Sequence, residues 1–174
     1  MTSDTQPKTF KQYRQKCIER YTDAGFSLFP CTQNKTPLKF GWQQTVWEPA
    51  LEPESLGLAY GVLLTATDLV LDIDPRRYID NENQLTKFAE LLQFDNPPKT
   101  FIVSTANGGV HIYFKKPAEV LIKCRTVPGF DAIEPKSKGR YVIGAGSIIN
   151  GKPYKVKQGD PCKLINLVMP YAIE

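Results

Sequence analysis

The stretch Leu69-Val70-Leu71-Asp72-Ile73-Asp74-Pro75 constrains this chain more than any other. An apolar run enters it and two carboxylates leave it. In an extended strand alternate side chains share a face, so Asp72 and Asp74 point one way while Leu71 and Ile73 point into a core. Carboxylates about 6 to 7 Å apart along a strand repel each other unless a cation lies between them, and hard oxygen donors suit magnesium or manganese. Pro75 ends the ladder because it has no N–H to donate. Taken alone, such a pair is more often a solvated strand end, since Asp is common where strands stop. The remainder of the chain has to decide between the two.

A chain of 174 residues suffices for one domain with a substantial core. Its 41% hydrophobic and 23% charged residues are ordinary for globular material. No apolar run of about 20 residues and no signal-peptide start occurs, so the expectation is a soluble, cytoplasmic chain without a membrane partner. Cys17, Cys31, Cys124 and Cys162 form no C-x-x-C pair, and His111 is the only histidine, which disfavours a zinc site. Without a secretory signal the cysteines read as reduced, mostly packing residues. The net charge of +4 is mild for a nucleic-acid binder, although Lys and Arg gather from Lys115 to Lys163 while acids crowd the middle.

Along the chain, residues 1–7 are polar and expected to be disordered, leaving 8–174 as the folded unit. Phe10, Tyr13, Cys17, Ile18, Tyr21 and Ala24 recur at helical steps, predicting a helix over 8–24 with Gly25 at its C-terminal end. Phe26 to Pro30 reads as a short strand. The turn-rich loop from Thr32 to Trp42 carries Lys35, Lys39 and Trp42; it is either a surface loop with an anchoring Trp or a device that brings cations and an aromatic to an anionic ligand. Glu48 to Gly57 reads as a linker or short helix. Leu58 to Leu64 and Asp68 to Ile73 are predicted to form a hairpin through Thr65-Ala66-Thr67. Leu85, Phe88, Leu91 and Leu92 define a second helix, opened by Asp80-Asn81-Glu82 and stopped before Pro97-Pro98.

Thr100 to Ser104 and Val110 to Lys115 are the next strands, joined across Asn107-Gly108-Gly109. Asn-Gly is a hairpin signal because both central residues of the favoured turn need positive φ. Alternation puts His111 and Tyr113 on one face, beside a glycine pair that allows another molecule's backbone or phosphate to approach. Val120 to Arg125 is a short strand or loop. Phe130 to Glu134 is extended, with Pro135 expected to stop it. Arg140 to Ala145 is a strand, Gly144 to Ser147 a turn, and Asn150-Gly151 a second Asn-Gly turn before Tyr154-Lys155-Val156. The apolar tail from Leu164 to Ile173 suits a short helix or strand.

The order of these pieces is distinctive: a helix, the Pro-Lys-Trp loop, L-D-I-D, then S-T-A-N-G-G-V-H-I-Y-F, then A-I-E ahead of G-R-Y-V-I-G-A-G-S. From about Tyr13 to Tyr154 it resembles the bifunctional primase-polymerase (Prim-Pol) domain of the archaeo-eukaryotic primase superfamily. The resemblance implies an α+β, primase-like fold with a mixed or antiparallel RRM-like sheet flanked by helices. It also implies a DNA primase or polymerase that uses two Mg²⁺ or Mn²⁺ ions and nucleoside triphosphates on a DNA template or primer. By that likeness Asp72, Asp74 and a later acid hold the metals, and His111 contacts the nucleotide phosphates. The later acid is usually Asp; here Glu134 matches best and Asp131 competes with it. The family's frequent P-P-S or P-G-S ending stands here as Gly144-Ala145-Gly146-Ser147. In that family a helicase often follows such a domain, which leaves two expectations open: a domain of a longer protein with a helicase partner, or a stand-alone enzyme.

The chemistry asks for the same residue types. Two-ion nucleotidyl transfer needs carboxylates to bridge the ions, and the triphosphate needs cationic or N–H donors that are not metal ligands. His111, Arg140 and Lys136 lie on or beside the motif strands and are the charged candidates, with Ser104, Asn107 and Ser147 as neutral donors. A metal-dependent nuclease would use the same acids, and a non-catalytic nucleic-acid-binding module would keep the sheet without them.

Overall fold

A computed structural model describes residues 9–44, 53–78 and 83–167. The expected disordered N-terminus, the Asp80-Asn81-Glu82 cluster and most of the apolar tail lie outside them. The first helix, α1, is Phe10–Asp23. Thr9 opens it with a reciprocal cap, its side chain accepting from the Gln12 N–H while the Gln12 side chain accepts from the Thr9 N–H. Gly25 follows with φ +83, a conformation that costs glycine nothing. The second helix, α2, is Gln84–Leu92, capped by Asn83.

In chain order the strands are β1 (Leu28–Cys31), β2 (Ala59–Leu63), β3 (Asp68–Ile73), β4 (Ile102–Ser104) and β5 (Val110–Lys115). They continue with β6 (Ile133–Lys136), β7 (Tyr141–Ile143), β8 (Ile148–Ile149), β9 (Lys152–Pro153) and β10 (Lys155–Gln158). One sheet has the order β1-β2-β7, a larger one β10-β4-β5-β3-β6, and β8 pairs with β9 alone. Every pair of these strands is antiparallel. The architecture is α+β.

The larger sheet is apolar on both faces, which is why β3 reads as a nearly continuous hydrophobic run. Leu69, Leu71 and Ile73 join Ile112, Phe114 and Ile133 on the face covered by Phe88 and Leu92 of α2. Val70, Val103 and Tyr113 project from the other face into a core with Cys17, Ile18 and Tyr21 of α1 and the inner residues of β1 and β2. Tyr21 Oη is 3.0 Å from Tyr113 Oη and accepts from the Ala145 N–H at 3.2 Å, so the buried hydroxyls that tie α1 to the sheet are satisfied.

Several expectations change. β2 and β3 do not form a hairpin, because each is central in a different sheet and the link between them crosses from one to the other. Asp68 fixes that crossing: it accepts from the Thr65 N–H at 2.8 Å and from Lys115 Nζ at 2.6 Å. Pro135 does not stop its strand but lies inside β6, an edge strand, where a missing N–H costs no ladder bond. In the β4–β5 connection only Gly108 has positive φ, so the turn is not the two-residue Asn-Gly type. That geometry belongs to the β8–β9 hairpin, where Asn150 and Gly151 have φ 49 and 77. The cysteines are free, with Cys17 and Cys31 buried, Cys124 half-buried and Cys162 exposed.

Candidate active site

The register of the large sheet sets the site. His111 of β5 lies opposite Asp72 of β3, and Asp72 lies opposite Glu134 of β6. Side chains directly opposite across antiparallel strands share a face, so the three stand in one row. That row continues the face whose inner part is buried under α1, and Lys136 follows Glu134 on it beside Val70. Asp74 comes just after β3: its N–H still donates to Ala132 O at 2.8 Å, and its side chain then caps the turn Pro75–Arg77.

Each acid has a cationic partner. Asp72 Oδ1 is 3.5 Å from His111 Nε2, and its Oδ2 is 3.7 Å from Lys136 Nζ. Lys136 Nζ also donates to Glu134 Oε1 at 2.8 Å. Asp74 takes Arg76 in a fork, with Nε 2.8 Å from Oδ1 and Nη2 2.8 Å from Oδ2. Burial alone would raise the Asp72 carboxyl, but His111, Lys136 and Lys35 outweigh it and hold the group at about 2. The Arg76 hydrogen bonds likewise hold Asp74 below the usual carboxylate range. His111 is buried, and its Nδ1 has no hydrogen-bond partner among the described residues. A buried polar atom without a partner is uncommon and is a natural contact point for a ligand.

These groups line a cleft of about 450 Å³. Of the residues expected at the site, Asp72, Asp74, His111, Glu134, Lys136, Arg140 and Asn107 line it. Asp131 does not; it is exposed on the turn before β6. Ser104 and Ser147 are outside as well. Ser104 Oγ donates to Lys155 O at 3.1 Å, while Ser147 is fully buried and accepts from the Tyr60 N–H at 3.1 Å. Both serines hold backbone together.

Both readings of the Thr32–Trp42 loop apply, and Trp42 belongs to both. Half-buried Trp42 packs against the core through Phe29 and Tyr141, with ring centroids 5.0 and 4.7 Å away, and also lines the cleft. Lys35 lines the cleft, its Nζ 6.0 Å from the centre of the Tyr154 ring. The Lys35 backbone has φ 65, and its carbonyl accepts from Tyr141 Oη at 2.8 Å. Sequence reasoning missed Arg76, Arg77, Tyr141 and Tyr154. Two arginines directly after D-x-D-P are a readable signal; nothing marks the tyrosines. Tyr154 packs 5.8 Å from the His111 ring, and burial pushes its hydroxyl up to about 12.

The model for the N-terminal domain of bifunctional DNA primase/polymerases, Prim-Pol, matches residues 18–166. The chain belongs to the Prim-Pol family. No curated protein matches it. Family membership carries a primase/polymerase-type function in general, with DNA and nucleotides as substrates. No described helix of this Prim-Pol domain is long and apolar enough to cross a membrane.

Such a function implies divalent cations, and the donor set fits them by type: Asp72, Asp74 and Glu134 offer hard oxygens on one wall of the cleft. Among the described residues no three ligating side chains are gathered tightly enough to hold an ion as they stand. The acids are drawn instead toward Lys136, Arg76 and His111.

Proposed function

We propose that this Prim-Pol domain carries out template-directed nucleotidyl transfer, adding nucleotides from triphosphates to a primer or an initiating nucleotide with Mg²⁺ or Mn²⁺. The observation that carries the reading is the row His111–Asp72–Glu134 across three neighbouring strands, facing a cleft rimmed by cations. Asp72, Asp74 and Glu134 would hold the metal. When bound, divalent ions make the attacking 3′-hydroxyl more acidic and neutralise charge on the leaving pyrophosphate.

The chain's own residues do the rest. His111 contacts a phosphate oxygen, its ring set between Tyr154 and Asp72 and its buried Nδ1 still without a partner among the described residues. Lys136 and Arg140 neutralise the triphosphate from the β6–β7 side, and Lys35 does so from a loop whose backbone Tyr141 pins. Asn107 adds a neutral donor. The exposed cations of the basic segment from Lys115 to Lys163, excluding Lys115 on Asp68 and buried Lys116, bind the template through backbone phosphates, independently of sequence.

Incorporation of labelled ribo- and deoxynucleotides on primed and unprimed templates, with each metal, tests the reading. Extension that needs template and metal is the expected result. Strand cleavage without incorporation would make the domain a nuclease, and salt-sensitive DNA binding with neither activity would make it a binding module.

A further inference from the structure

Asp74 is neutralised differently from the other acids. Asp72 and Glu134 share Lys136, whose side chain is only 20% exposed, and Asp72 also has buried His111. Asp74 has Arg76 and, at 3.9 Å, Arg77, both in open positions with side chains 62% and 58% exposed. The Arg76 contact is wholly local. Pro75 occupies the first position of the turn and presets its backbone, so that the Arg76 N–H donates to Asp74 Oδ1 at 3.1 Å while the guanidinium forks onto both oxygens. Among the described residues Arg76 bonds only to Asp74, so the fork opens locally.

A fork that uses both carboxylate oxygens leaves Asp74 little capacity for a metal. An exposed ion pair is also weak, because water competes for both partners, so a divalent cation bridged by neighbouring acids can outcompete it. Resting on the metal-site reading above, we propose that Arg76 is an exchangeable counter-ion of Asp74. It neutralises this outer carboxylate while no divalent cation is bound and releases it when one binds. The freed guanidinium then joins Arg77 on the triphosphate. Both arginines already line the cleft, and a planar guanidinium suits two phosphate oxygens as well as it suits a carboxylate. Arg76 is thereby a positioning residue for the acid and a binding residue for the nucleotide.

The test measures Mn²⁺ binding to the full chain by electron paramagnetic resonance, without nucleotide or DNA, for wild type, Arg76→Gln, Arg76→Lys and Asp72→Asn. Nucleotide affinity is measured separately in Ca²⁺. Arg76→Gln is expected to bind Mn²⁺ about threefold to fivefold more tightly, as removal of an exposed ion-pair competitor predicts, and to bind nucleotide more weakly. Arg76→Lys, which keeps the charge and loses the fork, should fall between. Unchanged or weaker Mn²⁺ binding by Arg76→Gln, alongside binding by wild type that Asp72→Asn abolishes, overturns this inference and leaves the metal site standing. Absence of Mn²⁺ binding by wild type, or binding indifferent to Asp72→Asn, overturns the metal site itself. Arg76 is exposed, and matching thermal unfolding of Arg76→Gln and wild type confirms that the fold is retained.

Discussion

Asp72 and Glu134 are direct cross-strand partners on β3 and β6, and Lys136 Nζ sits 3.7 Å from the first and 2.8 Å from the second. Glu134 thus reaches the face of Asp72 by register, while Asp131 is exposed on the preceding turn and outside the cleft. Glu134→Gln is expected to lose metal binding and synthesis together, on the order of a hundredfold or more where a metal ligand supplies several kcal/mol of charge stabilisation. Asp131→Asn should stay active. Metal titration and nucleotide incorporation on both variants check this, and the reverse pattern moves the third-ligand role to Asp131.

The ion pairs around Asp72 also change an expectation about stability. From sequence, two adjacent acids repel, so removing one should leave the fold intact or slightly firmer. The structure surrounds Asp72 with His111, Lys136 and Lys35, and its folded-state value of about 2 lies below the ordinary 3.8. A depressed carboxylate contributes stability above its unfolded value and loses it as pH falls through the folded one. The loss therefore falls between about pH 4 and pH 2 and is roughly 1 to 2 kcal/mol. Asp72→Asn should be less stable than wild type at neutral pH and close to it at pH 2. Urea unfolding across that range measures the difference, and equal stability of the two chains at pH 7 would contradict it.

The inner half of the site was legible because its signals are local. Two-residue periodicity put Asp72 on the face opposite Leu71, and the strand–turn–strand pattern put His111 beside Tyr113. Glu134 came from the family likeness, since no local pattern says that β6 pairs with β3 in the register that sets Glu134 against Asp72. Tertiary pairing likewise decided the fate of β2 and β3. Their short connection looks like a hairpin, yet each strand finds better partners elsewhere, β2 between β1 and β7 and β3 between β5 and β6. Lys35 was visible only as one of two meanings for its loop. Both hold, since Trp42 packs against the core and also lines the cleft beside Lys35, a placement that only the folded loop shows.

His111 has one nitrogen facing Asp72 and another, buried, without a partner among the described residues. His111→Ala is therefore expected to weaken nucleotide binding about tenfold to a hundredfold, the range for a charge-assisted hydrogen bond, and to change template affinity little. Separate titrations with nucleotide in Ca²⁺ and with labelled single-stranded DNA check this. Unchanged nucleotide affinity with lost DNA affinity would place His111 on the template instead.

The two glycines before His111 are required for different reasons of backbone geometry, whatever room they leave at the cleft. Room for an incoming phosphate is the obvious reading, but a Cβ on Gly109 would stand 2.3 Å from Ile73 O, inside the protein's own sheet. Gly109 is bare because β3 passes too close for a side chain, at the residue that leads into Asp74. Gly108 has open space around it and is needed for its φ of +82. Gly109→Ala should cost roughly 2 to 3 kcal/mol, as overpacking does, whereas Gly108→Ala should cost about 1 kcal/mol for left-handed backbone. Since the clash is with the Ile73 carbonyl, Gly109→Ala should also displace Asp74 and lower metal-dependent incorporation in chains that remain folded, while folded Gly108→Ala keeps it. Urea unfolding together with incorporation at a temperature where both variants are folded separates the two effects, and a Gly109→Ala chain as stable and active as wild type would show that β3 and β5 can part there without cost.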